Sequence, residues 1–355
     1  MKIGILTFHR SYNYGAILQA YALTKKLKDL GADPKIIDFR NEDIEAPTKL
    51  VIKGEKIDFK TPVRVIFRYI RHKRINNFIN SNIPLSQPVR DENDFRIIEK
   101  EYDRYITGSD QIWNNTHIKG KKCFFLDFVS DNRKKYSYAA SIGGDLKKAK
   151  ETVKLYSKYI DQYQVISLRE NNIKEYFQSL YGDKVRCDVD PVLLLSKEQW
   201  SSIASPRLHK NKYIFMYLVP SSSHIHKFAR NFAKRNGWDL INNKSSKEFF
   251  NHCGIEDFLS WLYNAEAIVT NSFHGTAFSI LFQKEFYVEL NANIGFNFRS
   301  NQLLEAVGIN SVEITSDNPP AVPIRHDYTK INQKLEVLRE NSLDYLKSII
   351  KESNN

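Results

Sequence analysis

Cysteine is scarce and scattered: Cys123, Cys187 and Cys253 are three in number, far apart, and form no CxxC. That spacing excludes a disulfide framework and a zinc site and fits a reducing compartment, so a cytoplasmic location is expected. No apolar run approaches the roughly 18–20 residues of a membrane-spanning helix. The short apolar start of the chain is too brief for a signal peptide and has no cleavage site. GxGxxG is missing, which leaves a dinucleotide site poorly supported, and the later half holds no acidic pair committed to a ribose. No helix-turn-helix signature, zinc finger or aromatic RNP motif is present, so nucleic acid is not an expected partner. His224 and His226 are two apart rather than at helical ligand spacing, and no metal or cofactor is expected.

What the chain does have is bulk. Its 355 residues are 42% hydrophobic, with 19 Tyr and 22 Phe, enough for real cores and more than one core normally holds. Net charge is +12, unevenly placed: residues 1–200 carry 36 basic and 26 acidic side chains, the remainder 17 and 15. Residues 49–74 alone hold nine basic and two acidic residues. There Val63, Ile66, Phe67 and Ile70 share one helical face, with Arg64, Arg68, Arg71, Lys73 and Arg74 around it. Such a basic helix, near 62–80, suits an anionic membrane surface or an anionic ligand, and equally a core-facing helix with solvated cations.

Strand patterns fall at residues 2–8, 34–39, 102–107, 135–141, 165–168 and 185–190, with helices at 16–30 and 171–180 and an irregular connection over 41–61. A polar stretch at 196–211 follows, and the pattern restarts: strands at 213–219, 238–241, 267–269 and 286–290, helices at 225–236, 255–264 and 303–307. A long amphipathic helix closes the chain at 330–350. The expectation is α/β, two Rossmann-like domains over residues 1–205 and 206–328 facing a cleft, with residues 329–355 crossing back onto the first.

In open α/β sheets ligands sit beyond the carboxyl ends of the strands, where helix N-termini offer N–H groups to anions. Four loops qualify. Residues 270–275 contain Asn271, Ser272, His274 and Gly275: the imidazole can donate or accept a proton near neutral pH, and the glycine lets backbone approach a ligand. The bland alternative is a helix-capping histidine. Asn13, Tyr14 and Gly15 open the first helix, either as a ligand loop or as an ordinary βα turn. Ser109, Asp110 and Gln111 offer a hydroxyl and a carboxylate for a ligand hydroxyl or a proton transfer, or else an N-cap. Arg169 can grip a carboxylate or phosphate with its planar fork, or pair with Glu170.

Taken together, Gly4-Ile5-Leu6-Thr7, Asn13-Tyr14-Gly15-Ala16-Ile17-Leu18-Gln19-Ala20-Tyr21-Ala22-Leu23, Gly108-Ser109-Asp110-Gln111-Ile112-Trp113, Ser167-Leu168-Arg169-Glu170, Asp190-Pro191 and Asn271-Ser272-Phe273-His274-Gly275 resemble the polysaccharide pyruvyl transferase family, over nearly the whole chain and in the family's order. The resemblance implies a fold like that of GT-B glycosyltransferases. It implies transfer of a pyruvyl group from phosphoenolpyruvate to two hydroxyls of a sugar, in a surface polysaccharide or its lipid-linked precursor, forming a cyclic ketal as phosphate leaves. His274 then matches the family's general acid or base, and Asp110 would orient or deprotonate the attacking hydroxyl. Arg169 matches one of the arginines that hold the donor, with Asn271, Ser272 and Gly275 beside it. Asn13, Tyr14, Gly15, Ser109 and Gln111 fall to the acceptor. One departure matters: where relatives often have Arg-Leu-His, this chain has Ser272-Phe273-His274, so Arg299 or a lysine has to supply the missing cation. A lipid-linked acceptor would give the basic helix a reason to meet the inner face of a membrane. The rival expectations are a GT-B glycosyltransferase using a nucleotide sugar and a non-catalytic carbohydrate-binding protein of the same fold. The enzyme reading expects His274 and Arg169 to face one anion-lined crevice.

Overall fold

A computed structural model describes residues 1–11, 13–41, 50, 58–59, 61–219, 223–290, 298–320, 322 and 324–351. Most of the connection expected over 41–61 lies outside the described residues. The chain forms two compact units: residues 1–59, 76–194 and 338–355 make one, residues 60–75 and 195–337 the other.

In chain order the first half comprises β1 (Lys2–Leu6), α1 (Tyr14–Asp29), β2 (Asp33–Phe39), α2 (Thr61–Asn82), β3 (Leu85–Val89), α3 (Glu92–Ile98), β4 (Arg104–Thr107), α4 (Asn115–Ile118), β5 (Lys135–Ser137), α5 (Leu146–Ile160), β6 (Ile166–Leu168), α6 (Lys174–Tyr181) and β7 (Val185–Cys187). Five strands form a parallel sheet in the order β3-β2-β1-β4-β5, and β6 and β7 pair beyond it. β1 is central, its Ile3, Ile5 and Leu6 covered on both faces, which is why it reads as a continuous apolar run. Because all strands point one way, Thr7-Phe8-His9, Asp38, Gly108-Ser109-Asp110 and Arg169 all emerge at the carboxyl ends of neighbouring strands. An aromatic core backs these ends, with Trp113 stacked on Phe125 at 5.6 Å and Phe125 on Tyr156 at 4.2 Å.

The second half comprises α7 (Lys197–Ser201), β8 (Tyr213–Tyr217), α8 (Ser223–Asn236), β9 (Asp239–Asn242), α9 (Lys247–Asn251), α10 (Ile255–Asn264), β10 (Ala267–Thr270), α11 (Phe273–Leu281), β11 (Glu285–Val288), α12 (Phe298–Val307) and α13 (Tyr328–Lys351). Its parallel sheet runs β11-β10-β8-β9. α8 buries Ile225, Phe228, Ala229 and Phe232 against it, the i, i+3, i+4, i+7 stripe of an amphipathic helix. Within α13, residues up to 337 belong to the second unit; from 338 on they belong to the first, where Tyr345 donates its hydroxyl to the Ser137 carbonyl at 2.8 Å.

The basic helix departs from the face its spacing suggested. Phe67 packs on Phe250 at 5.6 Å and Arg74 bonds Asp257, so residues 60–75 belong to the second unit rather than the first. Pinned by those two side chains, α2 leaves its arginines half-buried and Val63, Ile66 and Tyr69 outside, each more than half exposed. No helix among the described residues is long and apolar enough to cross a membrane.

Candidate functional site

The first unit's strand ends are closely knit. The loop after β4 carries left-handed backbone at Gly108 (φ 114°) and Asp110 (φ 66°), and the loop after β5 at Ala139 (φ 44°). A Cβ at position 108 would stand 2.3 Å from the Tyr138 carbonyl oxygen, so only glycine fits between these neighbouring turns. Non-glycine residues held at positive φ are uncommon and gather where function or packing over-determines them. Ser109 is wholly buried. Its N–H donates to Gln19 Oε1 at 3.1 Å, its hydroxyl to the Ala139 carbonyl at 2.7 Å, and its own carbonyl accepts from Thr7 Oγ1 at 3.0 Å. It therefore offers an acceptor no exposed group. Gln111 is turned back onto the loop, accepting from Asn114 Nδ2 at 2.7 Å.

Asp110 lies 3.6 Å from Arg169 Nη2, while Arg169 Nη1 donates to Asp190 Oδ2 at 2.5 Å. All three side chains are nearly inaccessible. Burial works against the Arg169 cation, but Asp190, Asp110 and Glu170 outweigh it and raise its pKa above the ordinary arginine value. The arginine expected to hold a donor anion is thus already set between two carboxylates of its own unit. Glu170, instead of pairing with Arg169, accepts from the Ser141 hydroxyl and from the Ile142 and Gly143 N–H groups at 3.3 and 3.2 Å, fastening the loop after β5.

Sequence reasoning passed over a second cluster in this unit. His9 Nε2 contacts Asp38 Oδ1 at 2.9 Å and His9 Nδ1 faces the Thr7 carbonyl at 3.1 Å; Arg10 grips the same carboxylate with Nε at 2.6 Å and Nη2 at 3.1 Å, and Arg40 Nε adds a bond at 3.0 Å. Burial pushes the Asp38 carboxyl up, yet the bonds from His9 and Arg10 hold it well below the usual carboxylate range. The signal was in the sequence: an acid at the end of one strand and His-Arg at the end of its neighbour. Beside this cluster Asn13 caps α1, its Oδ1 accepting from the Gly15 N–H at 3.0 Å; Asn13 is exposed and Tyr14 buried.

The second unit brings the remaining expected residues together at the start of α11. Ser272 is the N-cap, its hydroxyl accepting from the Gly275 N–H at 3.4 Å. Gly275 has a reason other than ligand approach: a Cβ there would lie 2.3 Å from Thr270 Oγ1, which itself accepts from the Ser272 N–H at 3.0 Å. The close approach is between helix and strand. Asn271 is a strut, with Oδ1 accepting from Val219 N–H at 3.1 Å and Nδ2 donating to Glu289 Oε2 at 3.3 Å. Glu289, a buried carboxylate just past β11, was another residue the sequence did not single out.

His274 sits in the first turn of α11, almost wholly covered. Its ring meets Phe273 edge-on at 5.2 Å, and the Arg299 guanidinium lies over the same Phe273 ring at 5.7 Å. α12 thereby delivers a cation to the start of α11. Tyr217, at the end of β8, lies near the Ser272 hydroxyl; burial pushes its phenol up to about 12, with the Arg71 guanidinium and Ser272 easing ionisation. Among the described residues no group of three His, Cys, Asp or Glu is placed to hold a metal.

The profile of the family described as polysaccharide pyruvyl transferase matches residues 13–292. No curated protein sequence matches the chain. Among solved structures, a Listeria monocytogenes protein described as a UDP-N-acetylglucosamine 2-epimerase superposes with a TM-score of 0.53 at 10% identity, covering 98% of this chain and 90% of that one. The Methanocaldococcus jannaschii UDP-GlcNAc 2-epimerase in complex with UDP-GlcNAc and UDP gives 0.49 at 12% identity, with 99% and 100% covered. SsfS6, a Streptomyces sp. glycosyltransferase, gives 0.43 at 8%, with 99% and 95% covered. At 10% identity the first of these likenesses is one of fold, and the fold is GT-B-like.

Proposed function

This chain belongs to the polysaccharide pyruvyl transferase family, and from that premise we propose that it moves a pyruvyl group from phosphoenolpyruvate to two hydroxyls of a sugar in a surface polysaccharide or its lipid-linked precursor. One observation carries the reading: an imidazole and a guanidinium, His274 and Arg299, share the Phe273 ring at the start of one helix. Phosphoenolpyruvate is a small, multiply charged anion whose methylene carbon must gain a proton as an acceptor hydroxyl adds to the neighbouring carbon. A second hydroxyl then replaces phosphate and closes the ketal. A proton carrier, a cation and the N-terminal end of a helix in one place supply what the donor half of that chemistry needs. In this reading His274 protonates the methylene carbon, Arg299 and the α11 N-terminus hold the donor, and Asp110 orients or deprotonates the attacking hydroxyl. No cofactor or metal takes part.

The test is acceptor-dependent release of phosphate from phosphoenolpyruvate. His274→Ala lowers turnover by roughly 10²–10⁴-fold, the usual share of a general acid or base, and Arg299→Ala raises the donor KM more than it lowers kcat. Thermal stabilisation by nucleotide sugars and not by phosphoenolpyruvate would replace this reading with a glycosyltransferase. A surface glycan that keeps its mass, with no ketal-linked pyruvate lost when the gene is deleted, would end it. Peripheral contact with an anionic membrane, in the same reading, falls to the outward row Val63, Ile66 and Tyr69 with Lys73; vesicle sedimentation with Ile66→Asp checks it.

A further inference from the structure

One long surface helix of the first unit carries charge of nearly a single sign. α5 holds five lysines and one acid, Glu151. Its buried stripe is Ala149, Thr152, Tyr156 and Ile160, with Tyr156 stacked on Phe125 at 4.2 Å and donating its hydroxyl to Asn115 Oδ1 at 2.6 Å. That seating decides what the opposite side shows. Lys147, Lys150, Lys154 and Lys158 are i, i+3, i+7 and i+11, and all four are exposed. At about 100° per residue they fall within an arc of about 80° opposite the buried stripe, in a row about 17 Å long. One leucine stands out on either flank, Leu146 at 42% and Leu155 at 53% exposure. A shallow hollow on this face is lined by Leu146, Lys147, Lys150, Glu151 and Lys154.

Other surface helices of the chain mix their charges. On α1 Lys25 pairs with Asp29 at 2.6 Å, and on α13 Lys347 pairs with Asp344 at 2.8 Å. Among the described residues no carboxylate forms an ion pair with Lys147, Lys150, Lys154 or Lys158. Asp145, the next acid along the chain, caps the helix instead, accepting from the Lys148 N–H at 3.2 Å. Like charges at i, i+3 and i+4 repel one another and weaken the helix, and an anionic surface laid along the row relieves that repulsion. A single small anion is too short for a row of this length. The flanking leucines separate the extended partners: against a bilayer the ammonium groups meet lipid phosphates while the apolar side chains reach the headgroup boundary, whereas a soluble polyanion gives the leucines nothing.

We propose that the lysine row of α5 is a docking surface for an anionic lipid bilayer. The contact is peripheral and electrostatic, because the apolar stripe of the helix is already covered by the core. It goes beyond the pyruvyl transferase reading and needs no part of it.

Sedimentation of the full chain with phosphatidylcholine vesicles, prepared with and without phosphatidylglycerol, tests the docking. The chain partitions onto the anionic vesicles far more than onto the neutral ones. Raising salt from about 0.1 M to about 1 M, which shortens the screening length from about 10 to about 3 Å, releases it. Each Lys→Gln in the row lowers partitioning about fivefold, and K147Q/K150Q/K154Q lowers it roughly a hundredfold, while K147R/K150R/K154R retains it. These side chains are exposed, so the unfolding midpoint stays with the parent. Lys227→Gln, Arg230→Gln and Lys234→Gln together remove three charges from α8 and leave partitioning near that of the parent. The proposal is overturned if the parent ignores phosphatidylglycerol, or if the α8 variant loses as much binding as the α5 variant. Retention on heparin that depends on the α5 lysines, without vesicle binding, makes the row a polyanion site and overturns the bilayer. No arm of the test involves phosphoenolpyruvate, so its outcome and that of the pyruvyl transferase reading are decided separately.

Discussion

The strand ends of the two units are built from the same parts and arranged in different ways. In the first, each cation is spoken for: Arg169 stands between Asp110 and Asp190, and His9, Arg10 and Arg40 converge on Asp38. In the second, Arg299 lies over Phe273 at the start of α11, while the buried acid Glu289 is held by the Asn271 amide. A self-neutralised surface suits hydroxyls, which need oriented acceptors and donors, whereas a cationic helix end suits a dianion. Under the proposed function, this difference gives donor recognition to the second unit and makes Arg169 a positioning residue for Asp110.

The sharpest way to break that contrast is to unbalance the buried ion pair. Asp190→Asn leaves Arg169 with a neutral amide where its 2.5 Å bond had been. Removing one partner of a buried pair costs about 3–5 kcal/mol, and denaturant titration will show a loss of that size. If Arg169 were chiefly an anion receptor, the same substitution would free its fork and tighten phosphoenolpyruvate binding with little loss of stability.

Gly275→Ala is the matching probe in the second unit. The added methyl would lie 2.3 Å from Thr270 Oγ1, so helix and strand must part. Overpacking of this kind costs about 1–3 kcal/mol, read as a lower unfolding midpoint. A variant as stable as the parent would mean that α11 is loosely seated, and a loosely seated helix end is a poor place to preorganise charge.

The alternation of strand and helix was legible because buried parallel strands read as apolar runs with polar residues at their ends. His274 and Asp110 were singled out that way, from strand, polar loop and helix in succession. What could not be read is what distance in sequence conceals. Arg169 and Asp190 are 21 residues apart, and Asp190-Pro191 reads locally as a turn. Ser109 looks like a ligand hydroxyl until the Ala139 carbonyl, 30 residues away, takes its O–H. For α2 the periodicity was correct but the facing was not. A helix apolar on one side and basic on the other has two plausible inner faces, and the choice fell to Phe250 and Asp257, far along the chain.

The cluster on Asp38 predicts how the first unit responds to acid. Its folded pKa is depressed below the unfolded value near 3.9, so its stabilisation is fully present above about pH 4 and is lost as pH falls through the lower folded value. A buried carboxylate of this type contributes on the order of 2 kcal/mol. Thermal unfolding between pH 5 and about 2.5 therefore shows a slope in the parent that Asp38→Asn flattens. Equal slopes would remove the claim that the cations of this unit are satisfied internally.

The smallest effect is the most discriminating. Ser272 caps α11 through a long bond to the Gly275 N–H, 3.4 Å, so Ser272→Ala costs no more than about 1 kcal/mol. Ser272→Asp separates structure from binding. An aspartate is as good an N-cap as serine, and its charge is favoured by the helix dipole, so the fold keeps or gains stability. The same charge occupies the place where a donor anion would sit and repels it. If this helix end binds phosphoenolpyruvate, Ser272→Asp holds the unfolding midpoint while the donor KM rises at least tenfold, and added salt narrows the gap by screening. If it is only a cap, midpoint and KM both stay where they were, and the charge contrast between the two units carries no functional meaning.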